Sequence, residues 1–120
     1  MSHICDAIVV VCIDFRFQKY IHKWLAANMK NKTYDLVGFA GSTKDIKTVL
    51  KQIDISKKLH QIKKTILIHH EDCGAYGKLS TPKRHRHDLL KAKKALIKKY
   101  PDLKVDLYYL SLNGKFDEVK

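Results

Sequence analysis

Two short stretches concentrate the side chains able to do chemistry, Cys12-Ile13-Asp14-Phe15-Arg16 and His70-Glu71-Asp72-Cys73-Gly74. Cys12, His70 and Cys73 offer two thiolates and an imidazole, donors that suit zinc. Three protein ligands with a vacant fourth position is the arrangement of a catalytic zinc, whereas a closed structural site needs a fourth protein ligand. Asp14 and Arg16 follow Cys12 closely and form either a carboxylate-guanidinium dyad beside a metal or a plain ion pair at a strand end. Cys12 taken alone reads most simply as a small buried apolar residue; the His70/Cys73 loop is what favours ligation. Cys5 has no matching partner and reads as structural or exposed.

For these groups to meet, the chain must bring distant segments together. The run Ala7-Ile8-Val9-Val10-Val11-Cys12-Ile13 is β-branched and continuously apolar, as expected of a central parallel strand covered on both faces. Phe17, Ile21, Trp24, Leu25 and Asn28 recur at helical spacing, which predicts a helix over 17–29. A second strand over 35–39 runs into Ala40-Gly41-Ser42, and Ile46, Val49, Leu50 and Ile53 mark a second helix, which Asp54-Ile55-Ser56 interrupts. Leu59 and Ile62 suggest one or two further helical turns before a third buried strand, 65–69.

A polar loop, 70–77, follows that strand. Thr81 as N-cap and Pro82 at N1 open a long basic helix whose stripe runs through Leu89, Ala92, Leu96 and Tyr100 until Pro101 stops it. A strand over 105–112 ends at Asn113-Gly114, a hairpin signal that folds 116–119 back as a short antiparallel edge. Strands alternating with helices predict an α/β, three-layer domain: a central mostly parallel sheet of about four parallel strands plus that antiparallel edge. Cys12 then lies at the carboxyl end of the first strand, and His70 and Cys73 lie just beyond the third. If those strands are neighbours, the three side chains meet in the crevice where open α/β sheets bind ligands.

The 120 residues, 45% of them hydrophobic, are expected to form a single domain, 1–120. The first residues carry no basic n-region and the apolar run after them is broken by Asp14 and Arg16, so neither a signal peptide nor a membrane span is expected. A cytoplasmic protein with reduced cysteines is the consequence. The net charge of +12 is spread as lysine pairs at the polar faces of helices, so solvated surface is preferred to nucleic-acid recognition.

Cys12-Ile13-Asp14-Phe15-Arg16 matches the C-x-D-x-R motif of beta-class carbonic anhydrases, and His70-Glu71-Asp72-Cys73-Gly74 matches their H-x-x-C-G motif. The sequence resembles a short member of that family, a likeness that extends to Ala40-Gly41 and to the tyrosine-rich last strand ending in Asn113-Gly114. The resemblance implies one Zn2+ per chain on Cys12, His70 and Cys73, with Asp14 and Arg16 as the catalytic dyad beside the open metal position. It also implies reversible hydration of carbon dioxide to bicarbonate and a homodimer. Gly74 is expected to let the loop turn tightly and present an amide to a bound anion. His69 is an alternative or fourth ligand candidate, but the family spacing starts at His70, so His69 is taken to end the strand. His85 and His87 fall in the first turns of a basic helix, where surface histidine is commonplace, and are left unassigned.

The sequence departs from the family at Gly38-Phe39, where an Arg-Asn pair is usual. Set against the family, it is also expected to lack the N-terminal helical arm and most of the helical region before the last strand. Two rival functions are hydrolysis of carbonyl sulfide or carbon disulfide and a noncatalytic, zinc-stabilised module that binds polyanions through its lysines.

Overall fold

The computed structural model describes residues 3–120. Strand β1 (Ala7–Val11) is followed by helix α1 (Gln18–Asn28), β2 (Tyr34–Gly38), α2 (Ile46–His60), β3 (Lys64–His70), α3 (Pro82–Lys99), β4 (Lys104–Leu110) and β5 (Phe116–Val119). They form one sheet in the order β2-β1-β3-β4-β5, parallel except for β5, which pairs antiparallel with β4. The α/β class and the mostly parallel sheet expected from the alternating elements are what the structure has.

Side chains alternate between the two faces, as pleating requires. Ile8, Val10, Leu67, Val105 and Leu107 pack beneath α2 and α3. Ala7, Val9, Val11, Ile66, Ile68 and Leu110 pack against Ile21 and Leu25 of α1. One helix on one face and two on the other is what right-handed crossovers give for this strand order. The chain leaves β1 toward β2 and leaves β3 toward β4, so the order reverses between β1 and β3. The carboxyl ends of those two strands border the crevice in which such sheets bind ligands.

Three details differ from the sequence-based expectation. Helix α2 runs unbroken through Asp54-Ile55-Ser56, because these polar residues find partners far along the chain. Asp54 accepts hydrogen bonds from Lys99 and Tyr100, and buried Ser56 donates to Asp35. Strand β3 runs one residue past His69, to His70, and the two pair with β4 opposite Tyr109 and Leu110. β4 stops at Leu110, and a turn closed by a Gly114 N–H to Ser111 carbonyl bond leads into β5. Gly114 has a φ of +89° there, and a Cβ would lie 2.7 Å from the Tyr20 ring. The Thr81 N-cap, accepting from the Arg84 amide, and Pro82 at the helix start are as expected.

Strand β2 is a sheet edge covered by α2 on one face and bare on the other. Tyr34 and Leu36 share the α1 face with their β1 partners Ala7 and Val9, yet both are exposed. Among the described residues no helix is long and apolar enough to cross a membrane.

Candidate metal centre

The side chains of Cys12, His70 and Cys73 converge as the strand order demands, with their ligand atoms all within 4.8 Å of one another and all three residues buried. Cys12 follows directly on β1, and its sulfur accepts the Gly41 amide at 3.4 Å. Gly41 has a φ of +82°, and a Cβ there would lie 2.9 Å from that of Lys44. Glycine is therefore what lets this backbone approach the sulfur.

His70 is the last residue of β3. Its Nδ1–H donates to the Glu71 carbonyl at 2.7 Å, which fixes the tautomer and leaves the Nε2 lone pair toward the two sulfurs. Phe17, buried at the start of α1, stacks on the imidazole with ring centroids 4.1 Å apart. Nε2 is buried without a hydrogen-bond partner. A buried acceptor left free between two thiols is costly unless a cation takes its lone pair. This donor set fits a tetrahedral zinc with one position free.

The electrostatics agree with ligation. Burial works against ionising Cys12, but His70 and the amides of Gly41 and Asp14 outweigh it and bring the thiol down to about 7. Burial, and then the Cys12 sulfur, push Cys73 up. Two such thiols resist sharing one site as thiolates until a cation joins them.

Asp14 and Arg16 sit at the mouth. Arg16 reaches the carboxylate through Nη2 at 2.7 Å and through Nε at 3.1 and 3.2 Å, and its backbone N–H adds a bond of 2.9 Å. Chiefly these bonds hold the Asp14 carboxyl below its ordinary value, against a smaller effect of burial. Asp14 Oδ2 lies 3.9 Å from His70 Nε2, beside the ligand cluster.

Two residues that the sequence did not single out complete this arrangement. Arg16 also donates from Nη1 to the Asp72 carboxylate at 3.0 Å and from Nη2 to the Asp72 carbonyl at 2.8 Å, clamping the β1 loop to the β3 loop. Asp72 adopts a left-handed φ of 56° to offer both acceptors. Gln18 donates to the carbonyls of Cys12 and Asp14 and so pins the β1 loop to α1. An acid between His70 and Cys73, and an amide at the first residue of the helix, were the signals for these roles.

The reason expected for Gly74 needs correction. Its φ is not left-handed, and a Cβ there would meet nothing within 4 Å. The loop turns at Asp72 and Gly77 instead. Gly74 lines an open recess of about 580 Å³ with Ile13, Asp14, Phe15, Ala40 and Ala75, so its bare Cα widens the recess. Gly38 and Phe39 bring no charge to it.

Of the remaining histidines, His85 departs from expectation. His69 points away from His70, toward α3, as adjacent strand residues must. It is buried and bonded to Thr43 and His85. His85 is 0% exposed, not a surface residue, whereas the side chain of His87 is exposed. Cys5 is partly buried, its thiol donating to the Ala7 carbonyl.

A protein family described as "Putative carbonic anhydrase" matches residues 2–120. The chain belongs to that family. Relatives of this carbonic anhydrase-like chain include an uncharacterized protein of Rickettsia bellii, 28% identical over 95% of this chain and 81% of its own. Another, from Rickettsia conorii, is 26% identical over 95% of this chain and 72% of its own. Among solved structures, a carbonic anhydrase from Glaciozyma antarctica superposes with a TM-score of 0.65 at 20% identity, covering 100% of this chain and 85% of that one. A tetrameric beta-carbonic anhydrase of Sordaria macrospora gives 0.64 at 13% identity, covering 98% and 82%. At such identities the structures speak for the beta-carbonic anhydrase fold.

Proposed function

We propose that this chain catalyses the reversible hydration of carbon dioxide to bicarbonate, with one zinc ion held by Cys12, His70 and Cys73. The observation that carries this reading is the Asp14 carboxylate, fixed by Arg16 at 3.9 Å from His70 Nε2. A zinc that only stabilised the fold would need no oriented carboxylate at its side. When bound, zinc lowers the pKa of its water to about 7 in carbonic anhydrases and so supplies a nucleophile near neutral pH.

The chain's own residues do the rest. Arg16 keeps Asp14 ionised and aimed, so that the carboxylate would accept a hydrogen bond from a proton-bearing group at the site and orient it toward the substrate. Arg16 also keeps Asp14 from swinging inward to become a fourth ligand. Ile13, Ala40 and Ala75 give the recess an apolar wall suited to an uncharged linear molecule, and Gly74 leaves room for it. The same wall supports a second reading, hydrolysis of carbonyl sulfide or carbon disulfide.

A homodimer belongs to this proposal. Phe15 and Ile13 at the mouth are 85% and 63% exposed, and with Leu36 and Tyr34 they leave apolar surface for a second copy to cover. A cytoplasmic setting, where the thiols stay reduced, is part of the same reading. The test is stopped-flow hydration of carbon dioxide by zinc-loaded protein. Protein that holds zinc but shows neither hydration nor carbonyl sulfide hydrolysis would overturn the enzymatic reading and leave a metal-bound scaffold.

A further inference from the structure

A chain of buried hydrogen bonds starts at Thr43 and ends at the backbone of Cys73. Thr43 Oγ1 lies 2.7 Å from His69 Nε2, and the Thr43 N–H donates to the same nitrogen at 3.4 Å. His69 Nδ1 lies 2.8 Å from His85 Nδ1. His85 Nε2 lies 2.9 Å from Ser80 Oγ, and Ser80 Oγ accepts the Cys73 N–H at 2.8 Å.

The direction of every bond follows from one donor. A backbone N–H can only donate, so His69 Nε2 is an acceptor and the His69 proton sits on Nδ1. That proton is given to His85 Nδ1, which leaves the His85 proton on Nε2, directed at Ser80. Both rings are neutral in this scheme. Burial is the main reason that His69 is held down to about 3 and His85 to about 4. Tyr76 closes the side of the strut, its ring centroid 4.4 Å from that of His85 and its hydroxyl donating to Asp88.

We infer that His85, acting through Ser80, is a positioning residue that fixes the backbone of Cys73 and thereby the placement of its sulfur as a ligand. The strut spans the start of α3, the end of β3 and the loop before α2, all parts of the packed core. Among the described residues, its one hydrogen bond to the ligand loop is the one to the Cys73 amide, beside which Tyr76 only packs against the rings. Cys12 and His70 have supports of their own in Gly41 and Phe17, whereas Cys73 lies in a loop with left-handed turns on either side of it.

The inference rests on the metal reading of Cys12, His70 and Cys73, so its test begins with wild-type protein titrated with Co2+. Absorption from thiolate-to-cobalt charge transfer reports both affinity and geometry. Ser80→Ala and His85→Leu should bind cobalt about 10- to 100-fold more weakly, the usual effect of losing a partner behind a ligand, and should shift the charge-transfer and d–d bands. His85→Gln, whose amide can both accept from His69 and donate to Ser80, should bind more tightly than His85→Leu. His87→Leu, exposed on the same helix, should match wild type.

A purely structural strut would lower the melting point of these variants yet leave cobalt affinity and spectrum as they were, and that result overturns the inference. If His85→Leu does not fold, Ser80→Ala decides alone. Wild-type protein without cobalt-thiolate absorption would overturn the metal reading itself, and this inference with it.

Discussion

Asp14→Asn separates an enzyme from a metal-bound scaffold because it keeps size and shape while removing one charge. In the wild type, Arg16 places two side-chain nitrogens against Asp14, the shortest contact being 2.7 Å from Nη2 to Oδ2. An asparagine can offer that guanidinium only one oxygen; its amide nitrogen would face either Arg16 or the ligand cluster. The Arg16 and Asp14 side chains are 38% and 15% exposed, so solvent screens the pair and its loss should cost the fold little. Zinc content should stay at one per chain. The rate should fall by ~10²–10⁴-fold, the usual contribution of a positioned proton-handling group, or about 3–5 kcal/mol of barrier.

Stopped-flow hydration with a pH indicator, on protein of measured zinc content, checks this. The pH profile sharpens it. Arg16 holds the Asp14 carboxyl below its ordinary value, so the stability this pair adds is present above the unfolded value of about 3.9 and is lost only as pH falls through the lower folded value. Asp14 therefore does not titrate between about pH 6 and 9, and the variant should be slowed evenly across that range. A zinc-loaded Asp14→Asn protein with wild-type rates would refute the role given to Asp14.

Cys73→Ser should lose zinc and melt at a lower temperature than zinc-loaded wild type, since binding energy is partly folding energy; unchanged metal content by elemental analysis would remove Cys73 from the ligand set. Light scattering should give a dimer or larger assembly, and Leu36→Lys on the bare β2 face should weaken it, whereas a strict monomer at working concentration would remove the assembly from the proposal. Acid stability is set in part by His85, which burial first, and then the charges of His70 and Arg84, hold down to about 4 against the pull of Asp88. Because the unfolded chain binds that proton more readily, the melting point of metal-free protein should drop as pH falls from 6.5 toward 4. It should drop less steeply in His85→Gln, and equal slopes in the two proteins would show that His85 does not take part.

Much of this architecture was legible because its signals are local. The apolar runs of β1 and β3, the Thr81-Pro82 start of α3 and the Asn113-Gly114 turn each act within a few residues. The ligand cluster was legible because two motifs stand at two strand ends. What was missed depends on partners far away in sequence. Asp54 and Ser56 look like helix breakers until Lys99, Tyr100 and Asp35 come within reach. Arg16 reads as a partner of Asp14 alone until the fold brings Asp72 to it. His85 did leave a trace, since it continues the stripe of Leu89, Ala92 and Leu96 by one more helical step, but its charge type suggested surface.

The paired histidines show how the sheet serves the site from both faces. Pleating sends His69 and His70 in opposite directions, so two consecutive residues connect the two helical layers to one ligand cluster. His70 faces α1, where Phe17 stacks on its ring and the Glu71 carbonyl sets its tautomer. His69 faces α3, where it passes the constraint of the Thr43 amide through His85 and Ser80 to Cys73. Cys12 is held from β1 itself and from the Gly41 amide. Each of the three candidate ligands thus has a brace of its own, the Gly41 amide for Cys12, Phe17 for His70 and Ser80 for Cys73, so the geometry of the cluster does not depend on one loop alone. Such rigidity is what a metal site with an open position requires, because no fourth protein ligand is there to hold the other three in place.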